Sequence, residues 1–137
     1  MSIPEIAASP LAGRALALPG SELVLAEYSA AGATGDTPLY QAPLHSHEES
    51  EAWYVLDGTL RFLVGDDQTE IPVGGAIVVP GGRAHTFWNP SPAPARYLLV
   101  MGPRTHALVK AIHEASDRSM DALRALYEEY GATLLGP

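Results

Sequence analysis

The sequence predicts an all-β fold, a small antiparallel sandwich or barrel with a helical extension at its C-terminal end. Between residues 22 and 101 apolar and β-branched residues gather in short runs, separated by Asp57-Gly58, Gly65-Asp66-Asp67, Gly74-Gly75 and Pro80-Gly81-Gly82. Strands at such close spacing, joined by turns and not by helices, pack as a sandwich or close into a barrel. Beyond Gly102-Pro103 the pattern changes, and Met120, Leu123, Leu126, Tyr127 and Tyr130 fall on one helical stripe. The 137 residues, 47% hydrophobic and 18% charged, suit one domain with a core large enough to fold unaided.

The elements follow in order. A first strand is expected at 22–28, and residues 40–47 read as extended. The runs 51–56 and 59–64 flank Asp57-Gly58, whose backbone freedom suits a two-residue hairpin turn. Residues 69–73 form a short strand, and Pro72, which cannot donate to a ladder, implies an edge or a bulge. The apolar run 76–79 comes next. Pro80-Gly81-Gly82 then turns the chain into 84–89, the proline-rich 90–94 makes a loop, and 96–101 gives one more strand. Residues 105–115 form a first helix. A second begins after Ser119 as N-cap, carries Asp121 in its first turn and stops at Gly131. Its apolar stripe is expected to pack on the outside of the barrel. The organisation is therefore an N-terminal arm (1–21), a barrel (22–102) and C-terminal helices packing on it (103–137).

The chemistry lies in two motifs, His45-Ser46-His47-x3-Glu51-x6-Gly58 and Gly74-x5-Pro80-Gly81-Gly82-x2-His85-x3-Asn89. In an extended strand, residues two apart point to the same face, so His45 and His47 would present both rings to one metal ion. Glu51 follows a short polar break, and His85 sits just past a turn, so the two can converge from neighbouring strands. The donors are nitrogen and oxygen only. With no cysteine in the chain, thiolate sites and disulfides are excluded, and one divalent first-row ion per chain (Fe, Mn, Ni, Co, Cu or Zn) fits the ligand mix. His106 and His113 lie in the helical stretch away from other ligand types and read as non-ligands.

These two patterns, in this order and separated only by residues 59–73, resemble the signature motifs of the cupin superfamily, in its small single-domain form. The resemblance covers residues 40–89 and implies a small antiparallel jelly-roll barrel with a metal held inside its mouth by His45, His47, Glu51 and His85. It is imperfect at two positions: Leu39 stands where the first motif usually begins with glycine, and Gly75 where many members carry aspartate. The tail, residues 130–137, is weakly similar to those of single-domain cupins grouped with quercetin dioxygenases.

Strand phase suggests a lining for that mouth. If Glu51 points inward, Trp53 and Val55 share its face, and if His85 does, so do Phe87 and Asn89. Leu60, Phe62 and Val64 form another apolar face, and Arg61 and Arg83 are the basic residues near the motifs. Trp53, Val55, Phe62 and Phe87 are thus the expected pocket lining, with Asn89 shaping its strand end. Three functions fit. The resemblance favours an oxidoreductase of dioxygenase type acting on a small phenolic, enolic or diketone-like molecule, with Glu51 as ligand and possible base. The others are a metal-dependent isomerase, lyase or epimerase working by proton transfer, and a non-catalytic small-molecule-binding protein, which a pocket without an additional base or cationic anchor would favour.

The formal charge of −8, with eight Lys and Arg and no basic cluster, argues against nucleic acid or an anionic membrane as partner. Residues 1–20 lack the basic and hydrophobic blocks of a signal peptide, which places the protein in the cytoplasm by default. The strands carry apolar residues on both faces, with Tyr54, Leu56, Leu63 and Tyr97 expected outside the inward sets, more than one barrel interior can hold. The surplus predicts a homodimer. Light scattering at micromolar protein should give twice the chain mass, whereas a mass near the 14.5 kDa of one chain would exclude the dimer.

Overall fold

A computed structural model describes residues 6–33, 35 and 37–136. Two five-stranded antiparallel sheets face one another. The first runs in the order β1 (Ala15–Leu16), β2 (Val24–Ala30), β9 (Ala95–Met101), β4 (Glu51–Asp57) and β7 (Ala76–Val79). The second runs β10 (Ala132–Leu134), β3 (His45–His47), β8 (His85–Trp88), β5 (Thr59–Val64) and β6 (Asp67–Pro72). This is the expected jelly-roll arrangement, with Pro72 on the edge strand β6. Of the N-terminal arm, residues 1–5 lie outside the described residues, and the rest contributes β1, which pairs with β2.

Alternation along the strands builds the interior. Trp53 and Val55 of β4, Ala95, Leu99 and Met101 of β9, Val24, Ala26 and Ala30 of β2, Leu60 and Phe62 of β5 and Phe87 of β8 form one buried cluster. Its centre is aromatic. Phe62 stacks on Phe87 with ring centres 5.5 Å apart, and Trp53 meets both edge-on at 5.1 and 5.5 Å, geometries that add roughly 0.5–1.5 kcal/mol per pair beyond burial.

Four sequence expectations change. Asp57-Gly58 does not close a hairpin, because β4 pairs with β7 and β9 while β5 pairs with β6 and β8. The left-handed Gly58 (φ 79°) instead carries the chain from one sheet to the other, and a Cβ there would press on Ala95. The extended stretch at 40–47 shrinks to His45–His47, with Tyr40 making only an isolated bridge to Trp88. Tyr97 points inward and is buried, since residues 95–101 are apolar on both faces and give no phase beyond exposed Arg96. Finally, the C-terminal extension is not wholly helical. Its residues 132–134 form β10, paired with β3.

The helices are α1 (Pro103–Glu114) and α2 (Met120–Glu129). Ser119 Oγ accepts from Ala122 N at 3.2 Å as the N-cap of α2, and Gly131 ends that segment with φ 76°. At α1 the capping position is Gly102, which has no side chain to offer. Glu49 supplies the cap from a distance: one carboxylate oxygen accepts from both Thr105 N and Thr105 Oγ1 at 2.7 Å. Such an acceptor at a helix N-terminus is worth about 1 kcal/mol. Leu108, Leu123, Tyr127, Ala132 and Leu134 form a second core that joins both helices to β10. Among the described residues no helix is long and apolar enough to cross a membrane.

On the outer face of the first sheet, Ala52 stands opposite both Val78 and Val100, and Leu25 opposite Val100. With exposed Leu23 and Tyr54 these make an apolar strip in which Val78 keeps 65% of its surface in contact with solvent.

Candidate metal centre

The cluster His45, His47, Glu51 and His85 is assembled by three strands. His45 and His47 point to one face of β3, held between β10 and β8 with His45 directly opposite His85. Glu51 opens β4 in the other sheet. The carboxylate and the imidazoles therefore converge across the barrel interior, and not from neighbouring strands as their sequence positions suggested. All four are buried, and one donor atom from each lies within 4.8 Å of every other. Around a single ion with bonds of ~2.1 Å, ligand atoms stand at most about 4.2 Å apart, so a cluster within 4.8 Å needs only a small contraction to hold one ion.

The loops around the cluster are clamped together. Gly82 N donates to His47 O at 2.7 Å and Gly81 N to Ser50 Oγ at 3.0 Å. Gly81 lies so close to the Glu48 carbonyl that a Cβ would collide with it. Glycine is required there by that close approach, which locks the first motif to the second.

Each imidazole is oriented the same way. Nδ1 of His45 lies 2.6 Å from Pro43 O, that of His47 2.7 Å from Glu49 O, and that of His85 2.9 Å from Arg83 O. A carbonyl can only accept, so each Nδ1 carries the proton and each Nε2 in the neutral ring presents a lone pair, the tautomer a metal ligand needs. Yet Nε2 of His47 and of His85 lie 2.6 and 3.0 Å from the same Glu51 oxygen. Lone pair against carboxylate is repulsive, so this arrangement calls for a positive charge, either added protons on Nε2 or a metal ion. Burial alone would raise the Glu51 pKa, but the hydrogen bonds and charges of His47 and His85 hold it down at about 2. Burial presses the His47 imidazole down, and the Glu51 hydrogen bond and charge overcome this to raise it. Burial and neighbouring His85 push His45 down to about 4, so it is neutral at ordinary pH.

The cluster opens into a cavity of about 170 Å³. Trp53 and Phe87 line it, whereas Val55 and Phe62 sit in the packed core and do not. Asn89, also fully buried, shapes the end of β8 by donating to Ala30 O and Ala93 O. Arg61 pairs with Glu70 on the surface, and neither it nor Arg83 reaches the cavity. The helices do. Leu108, Val109 and Ile112 of α1 and Leu123 and Tyr127 of α2 roof the cavity, so the apolar stripe of α2 covers the barrel mouth and not its outside. Periodicity shows that a stripe is buried but not against what. His113, read as remote, also lines the cavity, with its ring 6.0 Å from that of Tyr28, though it is not in the four-residue cluster. Tyr28, Tyr97, Leu99 and Arg118 are among the further lining residues that sequence reasoning missed, and no local pattern marks them.

Residues 37–101 match the family model described as Cupin domain. Among solved structures the chain is similar to a sugar phosphate isomerase of the cupin superfamily from Silicibacter pomeroyi DSS-3, at 21% identity and TM-score 0.52 over 60% of this chain and 51% of that one. It is similar to a protein of Thermus thermophilus at 25% identity and TM-score 0.53, over 63% and 77% of the two chains. It is also similar to the polyketide cyclase RemF from Streptomyces resistomycificus at 26% identity and TM-score 0.52, over 62% and 57%. The chain thus spans about half the length of the isomerase structure and less than two thirds of the cyclase. None of the curated proteins compared with the chain matches it.

Ligation requires neutral imidazoles, so protons compete with any bound ion, at His47 before His45. Metal content measured across a pH series should hold near neutrality and fall as pH drops through and below about 6.5, the ordinary imidazole value. Occupancy that stays flat down to pH about 4 would contradict ligation by these histidines.

Proposed function

Residues 37–101 carry the match to the Cupin domain, and on that premise we propose that the chain is a metal-dependent oxidoreductase of dioxygenase type acting on a small phenolic or enolic molecule bound in the barrel mouth. The observation that carries the reading is the pairing of a complete three-histidine, one-carboxylate set with a small, enclosed and largely apolar cavity. An apolar cavity of ~150 Å³ admits benzene, so about 170 Å³ suits a single ring or a comparably small enol. Glu51 is the one carboxylate among the described residues lining the cavity, beside the polar side chains of Tyr28, Ser29, Gln41, Thr105, His113 and Arg118.

A divalent transition ion held by His45, His47, Glu51 and His85 would supply Lewis-acid and redox chemistry, with positions left for ligand oxygen atoms. The chain's own contribution is orientation, exclusion of water and charge. The backbone carbonyls of Pro43, Glu49 and Arg83 fix the three rings, which keeps the donor set preorganised. Trp53, Phe87, Leu99 and Leu108 present apolar surface to the ligand and keep bulk water from it. The Glu51 carboxylate is ionised, and a pKa held down at about 2 suits it to holding a cation more than to accepting a proton from an enol or phenol. A second reading, metal-assisted proton transfer without oxygen, has one observation in its favour. The Tyr127 phenol, held protonated by burial and a pKa pushed up to about 12, lies in the same cavity as a potential acid.

The homodimer belongs to the same proposal. The apolar strip through Leu25, Val100, Ala52 and Val78 on the open face of the first sheet supports it, because a second copy would cover that surface by sheet-to-sheet packing.

Reconstituted with each candidate ion, the protein should hold about one metal per chain by elemental analysis, and Glu51→Ala should weaken the binding at least ~10-fold. Oxygen-electrode assays with catechol and 1,3-diketones should show uptake that the variant lacks. Turnover of such compounds without oxygen consumption would replace the oxidoreductase with the proton-transfer reading.

A further inference from the structure

Two buried polar groups among the described residues have no hydrogen-bond partner, Trp53 Nε1 and Tyr127 Oη, and both residues line the cavity. Trp53 is 2% exposed and Tyr127 1%. Buried donors are almost always satisfied because a bare one forfeits its hydration without return. Both rings lie beside the histidines: the Trp53 ring is 5.9 Å from that of His85, and the Tyr127 ring 5.4 Å from that of His45. Groups left bare beside a metal-type cluster mark where the oxygen atoms of a ligand belong.

A third feature stands at the mouth. Arg118, in the connection between α1 and α2, lines the same cavity. One of its amino groups donates to Ile112 O at 2.7 Å, which holds the guanidinium in place, and among the described residues it makes no ion pair. Its charge acts on the Tyr127 phenol, as does that of Glu51, and all three residues line the cavity. In a chain of formal charge −8, a cation with free donors at a cavity entrance runs against the prevailing sign. The guanidinium fork matches a carboxylate.

We propose that the ligand is a small carboxylate-bearing enol or hydroxyarene, recognised by Trp53 Nε1 and Tyr127 Oη at its oxygen atoms beside the cluster and by Arg118 at its carboxylate near the mouth. This rests on the metal-dependent reading for the placement of the oxygen atoms, but the Arg118 contact does not depend on it. The helical extension is then part of the binding site. It also removes the condition that favoured a purely binding protein, since a cationic anchor does face the pocket.

Titration calorimetry with 2-hydroxybenzoate and its uncharged isostere 2-hydroxybenzamide tests this, on metal-loaded and metal-free protein. The acid should bind at least ~10-fold more tightly than the amide. Arg118→Gln, at an exposed position, should abolish that preference and leave amide affinity unchanged, in both forms of the protein. Tyr127→Phe should weaken both ligands by roughly 3- to 10-fold without changing their ratio. Because it deletes an unpartnered hydroxyl and keeps the ring, it should also leave the ligand-free Tm unchanged or raised. Equal binding of acid and amide, a preference that survives Arg118→Gln, or a marked fall in Tm for Tyr127→Phe would overturn the inference even if one metal per chain is bound. Failure to bind metal with the charge preference intact would instead overturn the metal-dependent reading alone.

Discussion

Four groups with lone pairs or negative charge, buried within 4.8 Å of one another, repel one another unless positive charge, from added protons on Nε2 or from a metal ion, sits among them. The rest of the structure is organised round that requirement. Because the Nδ1 protons of His45, His47 and His85 are committed to backbone carbonyls, each ring keeps Nε2 free, and those of His47 and His85 meet Glu51. The orientation is written into the main chain at Pro43, Glu49 and Arg83, and so survives whatever occupies the centre. The barrel provides the dry wall that makes the charge requirement severe, and the aromatic packing of Trp53, Phe62 and Phe87 provides the rigidity that keeps the donors from moving apart.

Glu49 joins this centre to the helices. Its carbonyl orients His47 while its carboxylate caps α1 through Thr105. β10 extends the coupling from the far end of the chain, with Ala132 and Leu134 paired to His47 and His45. The C-terminal extension thus both braces the ligand strand and roofs the cavity.

The parts legible in the sequence were those that depend on short-range spacing. A period of two places His45 and His47 on one face, the turn residues bound most strands to within a residue or two, and Ser119 and Gly131 mark the ends of α2. What escaped depends on which elements meet. Asp57-Gly58 has the composition of a hairpin turn, yet it joins strands of different sheets, a fact fixed by partners distant in sequence. Three-residue β10 is too short to show a period, and Tyr97 lies in a run apolar on both faces. Tyr127 read as one more apolar position on a stripe, and Arg118 and Glu49 carry no spacing that marks them. Each gained its role only when the helices folded over the barrel mouth.

The central claim is that three Nδ1-protonated imidazoles and Glu51 await one ion at Nε2. Long-range proton–nitrogen NMR of protein labelled with ¹⁵N in histidine reads both nitrogens of every ring directly. On titration with diamagnetic Zn²⁺ at neutral pH, the Nε2 resonances of His45, His47 and His85 should shift together and saturate at one equivalent, while their Nδ1 nitrogens stay protonated and those of His106 and His113 do not respond. Saturation without any change at these three Nε2 nitrogens, or coordination through Nδ1, would contradict the account.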